Sequence, residues 1–491
     1  MRRFSLLSLL SCLALLLAVY SCSYDGYSGA VPFSEEGGGA GGEPGAIVEN
    51  PFVDTAEEPT STFSIDADGG SYANVRRYLQ QDNIMPPTDI IRTEEFINYF
   101  DLDYTFPSAS EHPIALNGEV SGCPWAPDHR LIRIGMEGRP QSETDRPWAN
   151  YVFLVDVSGS MGGEDRIGLI KSGLHLFVDQ MREPDHLSIV TYASRTGVHL
   201  KSTSGRNKTK IRRKINSLST GGGTNGGSGI QLAYAEAEDN FIPGGNNRVF
   251  VATDGDFNIG LTSLDDLIAL IERKRETGVF LTTLGVGRGN YAEHTLEQLA
   301  NKGNGTYEYL DKTEQLEKVF LHETGKFQTV AKDVKVQVAF NPDLVQAYRL
   351  IGYENRVLDN EDFTDDTEDA GELGAGQNVT ALYEILPVPD VDARNAPSFT
   401  IDFRYKLPDA DVSIPLSLAI TDQGNDFGAA SDYSRFTAAV AAFGLVLRDS
   451  EYKGTADYNA ILGWLGTVVL PDPHGYKAEL RELVETAREL R

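Results

Sequence analysis

The feature that most narrows what this chain can become is a regular exchange of short apolar runs for helix-like periods from residue 151 onward. Residues 151–155 are apolar throughout, which suits a strand covered on both faces, and parallel sheets are built of such strands. The helical period that follows, residues 166–181, sets Ile167, Ile170, Leu174, Phe177 and Met181 on one stripe at three- and four-residue spacing, the face expected to lie on that sheet. Further strand runs at 187–192, 248–253 and 279–286 are separated by helical stretches at 208–218, 229–240, 264–277 and 292–300. This alternation predicts a doubly wound α/β unit, a fold that meets its ligands outside the carboxyl ends of its strands.

Three polar stretches fall at that edge. Asp156, Ser158 and Ser160 alternate with Val157 and Gly159 just after the first strand. Gly221, Gly222, Gly223, Thr224 and Asn225 precede a helix, and Asp254 closes the strand run 248–253. Taken singly these residues are ordinary, since Ser and Asp cap helices and glycines turn. Together, two carboxylates and three hydroxyls form the donor set of a hard cation that takes oxygen ligands in near-octahedral geometry. Asp156 and Asp254 would balance a divalent charge, while the neutral hydroxyls leave the ion able to accept one more anionic oxygen. Mg2+ fits this set best, with Mn2+ or Ca2+ as alternatives, and a carboxylate from a partner is the natural sixth ligand. Asp256 reads equally as a supporting hydrogen-bond acceptor or as part of a turn.

Asp156-x-Ser158-x-Ser160, Thr224 and Asp254 resemble, position by position, the metal-ion-dependent adhesion site of von Willebrand factor type A (VWA) domains. The resemblance implies a Rossmann-like VWA domain over residues 148–328. It also implies that the two serines and the threonine contact the ion directly or through water, that the aspartates often act through water, and that an acidic side chain of a protein partner completes the shell. Residues 61–72, 93–100, 330–340 and 348–356 are similar to those of a group of bacterial proteins in which characteristic N-terminal and C-terminal regions flank the type A domain. That likeness runs from about residue 50 to the end and implies the architecture and an envelope location; the binding role, and the expectation that the chain is not an enzyme, follow from the type A site.

Around the α/β unit the pattern changes. Helix-like stretches at 71–81 and 92–100 are followed by strand-like runs at 114–120 and 131–136, and beyond residue 330 by runs at 334–340, 345–351, 379–386 and 399–405. If the strands on the two sides pair, the α/β unit is an insertion in a β-sandwich-like domain; absence of contact between residues 112–138 and 333–406 would refute this. Asp66, Asp68 and Gly69 superficially resemble a calcium loop, but the later acidic ligands are missing, so a turn feeding a helix is expected. Three helical runs, 434–448, 458–469 and 476–490, form a helical C-terminal region whose apolar stretches fall short of the ~20 residues needed to span a bilayer. The expected partition is a signal peptide at 1–21, a flexible tether at 22–60, an N-terminal flank at 61–147, the VWA domain at 148–328, a β-rich region at 329–415 and the helical region at 416–491.

Arg2 and Arg3 before the apolar run 4–19 read as an export signal. Val19, Tyr20, Ser21 and Cys22 resemble a bacterial lipobox, with Tyr20 bulkier than usual, so Cys22 is expected to carry lipid and anchor the chain in the cell envelope. Ser23 favours the outer over the inner membrane, by resemblance to the sorting pattern of such proteins. Residues 23–60 are rich in Gly, Glu, Ser and Pro and too poor in large apolar residues to build a core. Cys123 has no His or Cys at ligand spacing and reads as a small core hydrophobe.

A net charge of -29, from 72 acidic against 43 basic residues, would repel phosphate backbones and anionic lipid surfaces, which removes nucleic acid from the partner classes. Gly285, Gly287 and Gly289 lack a third glycine at dinucleotide spacing, and the glycines from 221 to 229 lack the Lys-Ser/Thr ending of a P-loop. A phosphotransfer reading of Asp156 lacks the second Asp, whose place Ser158 takes. His175, His186, His199, His294 and His322 are scattered without paired ligand or triad spacing. The acidic stretch 359–372 reads as a solvated loop. Two readings stay open: a metal-dependent binding module, and a scaffold whose metal only stabilises it.

Overall fold

The computed structural model describes residues 47–491 apart from 67, 103, 108–109, 224–226, 256–263 and 289–292. Residues 49–491 form one compact unit, described below.

The α/β portion is a six-stranded sheet ordered Tyr307–Leu310, Val279–Val286, Asn246–Thr253, Ala149–Asp156, His186–Tyr192, Gly197–Ser204. The first five strands run parallel and Gly197–Ser204 is an antiparallel edge. The central strand shows why its sequence is apolar throughout. Tyr151, Phe153 and Val155 face one helical layer with Ile170, Leu174, Phe177, Ile211 and Ile215, whereas Val152 and Leu154 face the other with Ile230, Tyr234, Leu267 and Ile271. Both faces are therefore covered, as a doubly wound sheet requires. The stripe expected on the first long helix, Leu169–Gln180, is buried at Ile170, Leu174 and Phe177, with Met181 buried just beyond it and Ile167 packed at its edge. Phe153 and Phe250 stack across adjacent strands at 4.5 Å with planes 7° apart, and Phe177 meets both rings edge-on.

The α/β portion is inserted into a β-sandwich. One sheet runs Val53–Asp54, Val345–Ile351, Asn378–Pro387, Arg130–Gly138, Ile114–Gly122; the other runs Val357–Leu358, Thr60–Ser64, Thr329–Phe340, Phe399–Lys406, Ile414–Ile420. Residues on the two sides of the insertion pair directly, Ile132 with Tyr383 and Met136 with Val379. Ile132, Ile134 and Met136 of one sheet share a core with Val334, Val336, Val338 and Phe340 of the other. The chain thus leaves the sandwich after Gly138 in one sheet and returns at Thr329 in the other.

Two expectations are corrected. The tether does not extend to residue 60: Asn50 Nδ2 donates to the carbonyls of Leu350 (3.2 Å) and Gly352 (2.8 Å), Val53 pairs with Tyr348, and Phe52 packs edge-on against His129 and Tyr452. Low apolar content hid this because the segment is held by backbone pairing and one aromatic ring rather than by a core of its own. The flank 61–147 and the helical region 416–491 are not separate bodies either. Tyr72, Phe96, Phe100 and Trp125 from the first share one core with Phe436, Val440, Phe443, Leu480 and Leu483 from the last. Cys123 is buried in that same core, as expected of a small hydrophobe. Residues 1–46, with Cys22 and the signal-like run, lie outside the described residues.

Candidate metal centre

The carboxyl ends of two neighbouring parallel strands carry Asp156 and Asp254, with Ser158 and Ser160 following the first. Asp156 is the last residue of the central strand and is fully buried. Its Oδ1 accepts from the Ser158 N–H at 2.8 Å, which curls the chain so that two serines follow on the same side. The Ser158 and Ser160 hydroxyls then lie 2.9 Å apart. Ser158 is buried and Ser160 exposed, so the hydroxyl pair reaches from the sheet edge to solvent. Asp254, half-buried, follows the neighbouring strand Asn246–Thr253.

The glycine loop is tied to this turn from the other side. Gly159 N–H donates to the Gly222 carbonyl at 3.0 Å and Gly221 N–H to the Val157 carbonyl at 2.8 Å. Gly222 has φ +85°, and a Cβ there would fall 2.5 Å from Ser194 Oγ, so only glycine gives this close approach. Ser194 Oγ in turn accepts from the Gly223 N–H at 2.8 Å. Thr224, Asn225 and Asp256 lie outside the described residues.

The residues present fit a hard divalent cation. Among the described residues Asp254 Oδ1 is buried without a hydrogen-bond partner, an unfavourable state for a carboxylate oxygen unless a cation or donor meets it. Burial pushes the Asp156 carboxyl above its usual range; the Ser158 donors oppose this, and the nearby charge of Asp254 adds to it. A buried carboxyl at Asp156 whose charge is disfavoured by burial and by the neighbouring Asp254 is what a bound cation would relieve.

Three neighbours escaped the sequence reading. Thr253 Oγ1 donates to Asp156 Oδ2 at 3.3 Å and accepts from the Gly255 N–H at 3.2 Å, linking the two aspartate-bearing strand ends. Tyr192, fully buried at the end of its strand, accepts the Val157 N–H at 2.9 Å through its carbonyl and interacts with the Asp156 carboxyl through its side chain. Arg166 Nη1 donates to the Ser160 carbonyl at 2.8 Å and fixes the outer end of the serine turn. Tyr192 was within reach of the strand-end argument that found Asp254; Thr253 and Arg166 carry no spacing signal.

The α/β portion and the regions on either side of it match known protein families. The von Willebrand factor type A domain family matches residues 150–322, a family described as von Willebrand factor matches 44–133, and one described as uncharacterized protein YfbK, C-terminal, matches 325–490. The uncharacterized protein YfbK of Escherichia coli is 40% identical over 462 residues, covering 89% of this chain and 80% of that protein. Rat inter-alpha-trypsin inhibitor heavy chain H3 is 31% identical over 183 residues, 34% of this chain and 20% of that protein. A solved von Willebrand factor type A structure from Catenulispora acidiphila overlays with a TM-score of 0.43 at 15% identity, over 79% of this chain and 91% of that one. The chain belongs to the family of the Escherichia coli protein YfbK, with a VWA domain set between that family's own flanking regions.

Proposed function

We propose that this protein is a divalent-metal-dependent protein-binding module of the bacterial cell envelope, and that it holds a carboxylate of its partner through a metal at Asp156, Ser158, Ser160, Thr224 and Asp254. The observation that carries the reading is the meeting of Asp156, the paired serine hydroxyls and the unpartnered Asp254 Oδ1 at one sheet edge. Membership of a VWA-containing family supports it, since VWA domains commonly mediate protein-protein interaction. Mg2+ at this set would supply a Lewis-acidic position for one outside carboxylate oxygen. The chain's own groups do the rest. Asp156 anchors the serine turn through Ser158 N–H, Thr253 and Tyr192 hold the Asp156 carboxyl, and exposed Ser160 marks the side from which a partner arrives.

Calorimetric titration of Mg2+ into metal-stripped protein lacking residues 1–22 tests the site. One equivalent should bind to the unmodified chain, and binding should fall by roughly tenfold or more in Asp156→Ala and Asp254→Ala, the loss of a charged ligand. Folded protein that takes up no Mg2+ would remove the mechanism. Metal binding that raises the unfolding temperature while partner capture survives chelation would leave a scaffold with a stabilising ion.

Anchoring through a lipid on Cys22, with the outer membrane as its seat, belongs to the same proposal and rests on the signal-like residues 2–22. Among the described residues no helix is long and apolar enough to cross a membrane. Palmitate labelling of cells should mark the protein and should disappear in Cys22→Ser; an unlabelled wild-type chain would sink the anchor.

A further inference from the structure

A cleft of about 350 Å³ opens where the helix Glu293–Lys302 of the VWA domain faces the sandwich and the turn bearing Asp66 and Asp68. Six carboxylates line it: Asp66, Asp68, Glu297, Glu368, Asp369 and Glu372. Several are already engaged. Asp66 is paired with Arg356 at 2.8 Å, Glu297 accepts from Asn355 at 3.0 Å and meets Arg92 at 3.3 Å, and Asp369 is paired with Arg275 at 2.6 Å.

Among the described residues, three buried oxygens in the same walls have no partner: Asp68 Oδ2, Thr306 Oγ1 and Glu372 Oε1. Asp68 is the telling one. It is 2% exposed, its Oδ1 already accepts from Tyr307 N–H at 2.9 Å, and Thr306 is the residue just before that donor. A carboxylate oxygen buried and unpaired beside other carboxylates is costly unless a donor or cation meets it. Desolvation, with the charges of Asp66 and Glu297, pushes the Asp68 carboxyl well above its usual range, against the pull of Arg356. The free oxygens of Asp68 and Glu372 come from separate segments, and among the described residues no three His, Cys, Asp or Glu side chains converge as a metal centre. The room available is that of a small-molecule pocket rather than of one ion.

We propose that this cleft binds a small organic polycation of the polyamine class, one primary ammonium seated on Asp68 and Thr306 and another directed to Glu372. An ammonium group brings three donors and a positive charge, matching an unpaired carboxylate oxygen beside a hydroxyl. A chain of net charge -29 also concentrates such cations near its surface.

The test is calorimetric titration of spermidine into the full-length Asp156→Ala chain, so that the metal centre contributes nothing, at near-physiological ionic strength. Saturable one-to-one binding is expected, weakened by roughly tenfold or more in Asp68→Asn, the loss of a charge-assisted hydrogen bond. Should Asp68→Asn fail to fold, Glu372→Gln, elsewhere in the cleft lining, gives the same reading, and a loss in either variant supports the site. Non-saturable uptake that vanishes with salt, binding unchanged in both variants, or a response to CaCl2 with none to spermidine would each overturn the proposal.

Discussion

Arg76→Ala is expected to cost the folded protein roughly 3–5 kcal/mol, the range for removing one partner of a buried ion pair. Arg76 is 1% exposed and joins three parts of the chain. Its Nη2 reaches Asp311 Oδ1 at 2.5 Å and Gln315 Oε1 at 3.0 Å in the VWA domain, and its Nη1 reaches Glu479 at 3.0 Å in the last helix and the Tyr99 hydroxyl at 2.6 Å. The Asp311 side chain is wholly buried, so truncation strands a carboxylate with no water to take the place of the guanidinium. Arg76→Lys keeps the charge but not the fork that spans two oxygens of Asp311, and should fall between wild type and Ala. Pairing Arg76→Met with Asp311→Leu should cost less than Arg76→Ala alone, because no unpaired charge is left behind. Urea unfolding of the four proteins reads all of this. An Ala variant with an unshifted midpoint would show that the junction contributes nothing to holding the VWA domain on its flanks.

The same junction shows where sequence reading stops. The α/β layer order was legible because burial on both faces leaves its strands apolar throughout, as in residues 151–155, and because its helices bury one stripe each. The two edge strands were not: Tyr307–Leu310 is four residues long with a charge at Glu308, and Gly197–Ser204 is half-solvated, so neither shows the central-strand pattern. The sandwich was legible as strand runs on both sides of the insertion. The sharing of one helical core by residues 72–125 and 436–487 was not, since packing between segments more than 300 residues apart leaves no periodic mark.

The grouping of Asp156, Ser158, Ser160 and Asp254 at one sheet edge was legible for a different reason. A hard cation demands oxygen donors, the fold brings its strand ends to one edge, and Asp156, Ser158, Ser160 and Asp254 fall at those ends. The acidic cleft was half-legible at best. Asp66 and Asp68 stood out, but their partners Arg356 and Tyr307 and the like-charged Glu297 come from two other parts of the chain, and no spacing rule joins them. Reading Asp66 and Asp68 as a turn feeding a helix holds, since Asp68 N–H donates to Asp66 Oδ1 at 3.0 Å ahead of the helix Gly70–Arg76; the chemistry of the turn comes from what packs on it.

Glu94→Gln should flatten part of the pH dependence of stability. Glu94 is fully buried in the helix Thr93–Asn98, and no hydrogen-bonding side chain reaches either of its oxygens. Burial, with the charges of Glu354 and Asp66 and against that of Arg92, pushes its carboxyl up to about 8 from 4.5. An acid whose pKa is raised on folding binds its proton more tightly in the native state. Its contribution is therefore fully favourable below pH 4.5 and is lost as pH rises through about 8. Across that window the wild-type chain should lose up to roughly 1.4 kcal/mol per pH unit from this group, and the Gln variant none of it. A buried amide in the same place costs something of its own, but that cost does not titrate. The measurement is the difference in unfolding free energy between the two chains from pH 4 to 9. It should move in favour of Glu94→Gln as pH rises and level off above about 8, where the native carboxyl has ionised. A difference that stays constant across the range would mean that Glu94 is ionised in the folded protein at all these pH values, and that Arg92 or Arg448, which already holds Glu354 at 2.8 Å, neutralises it in solution.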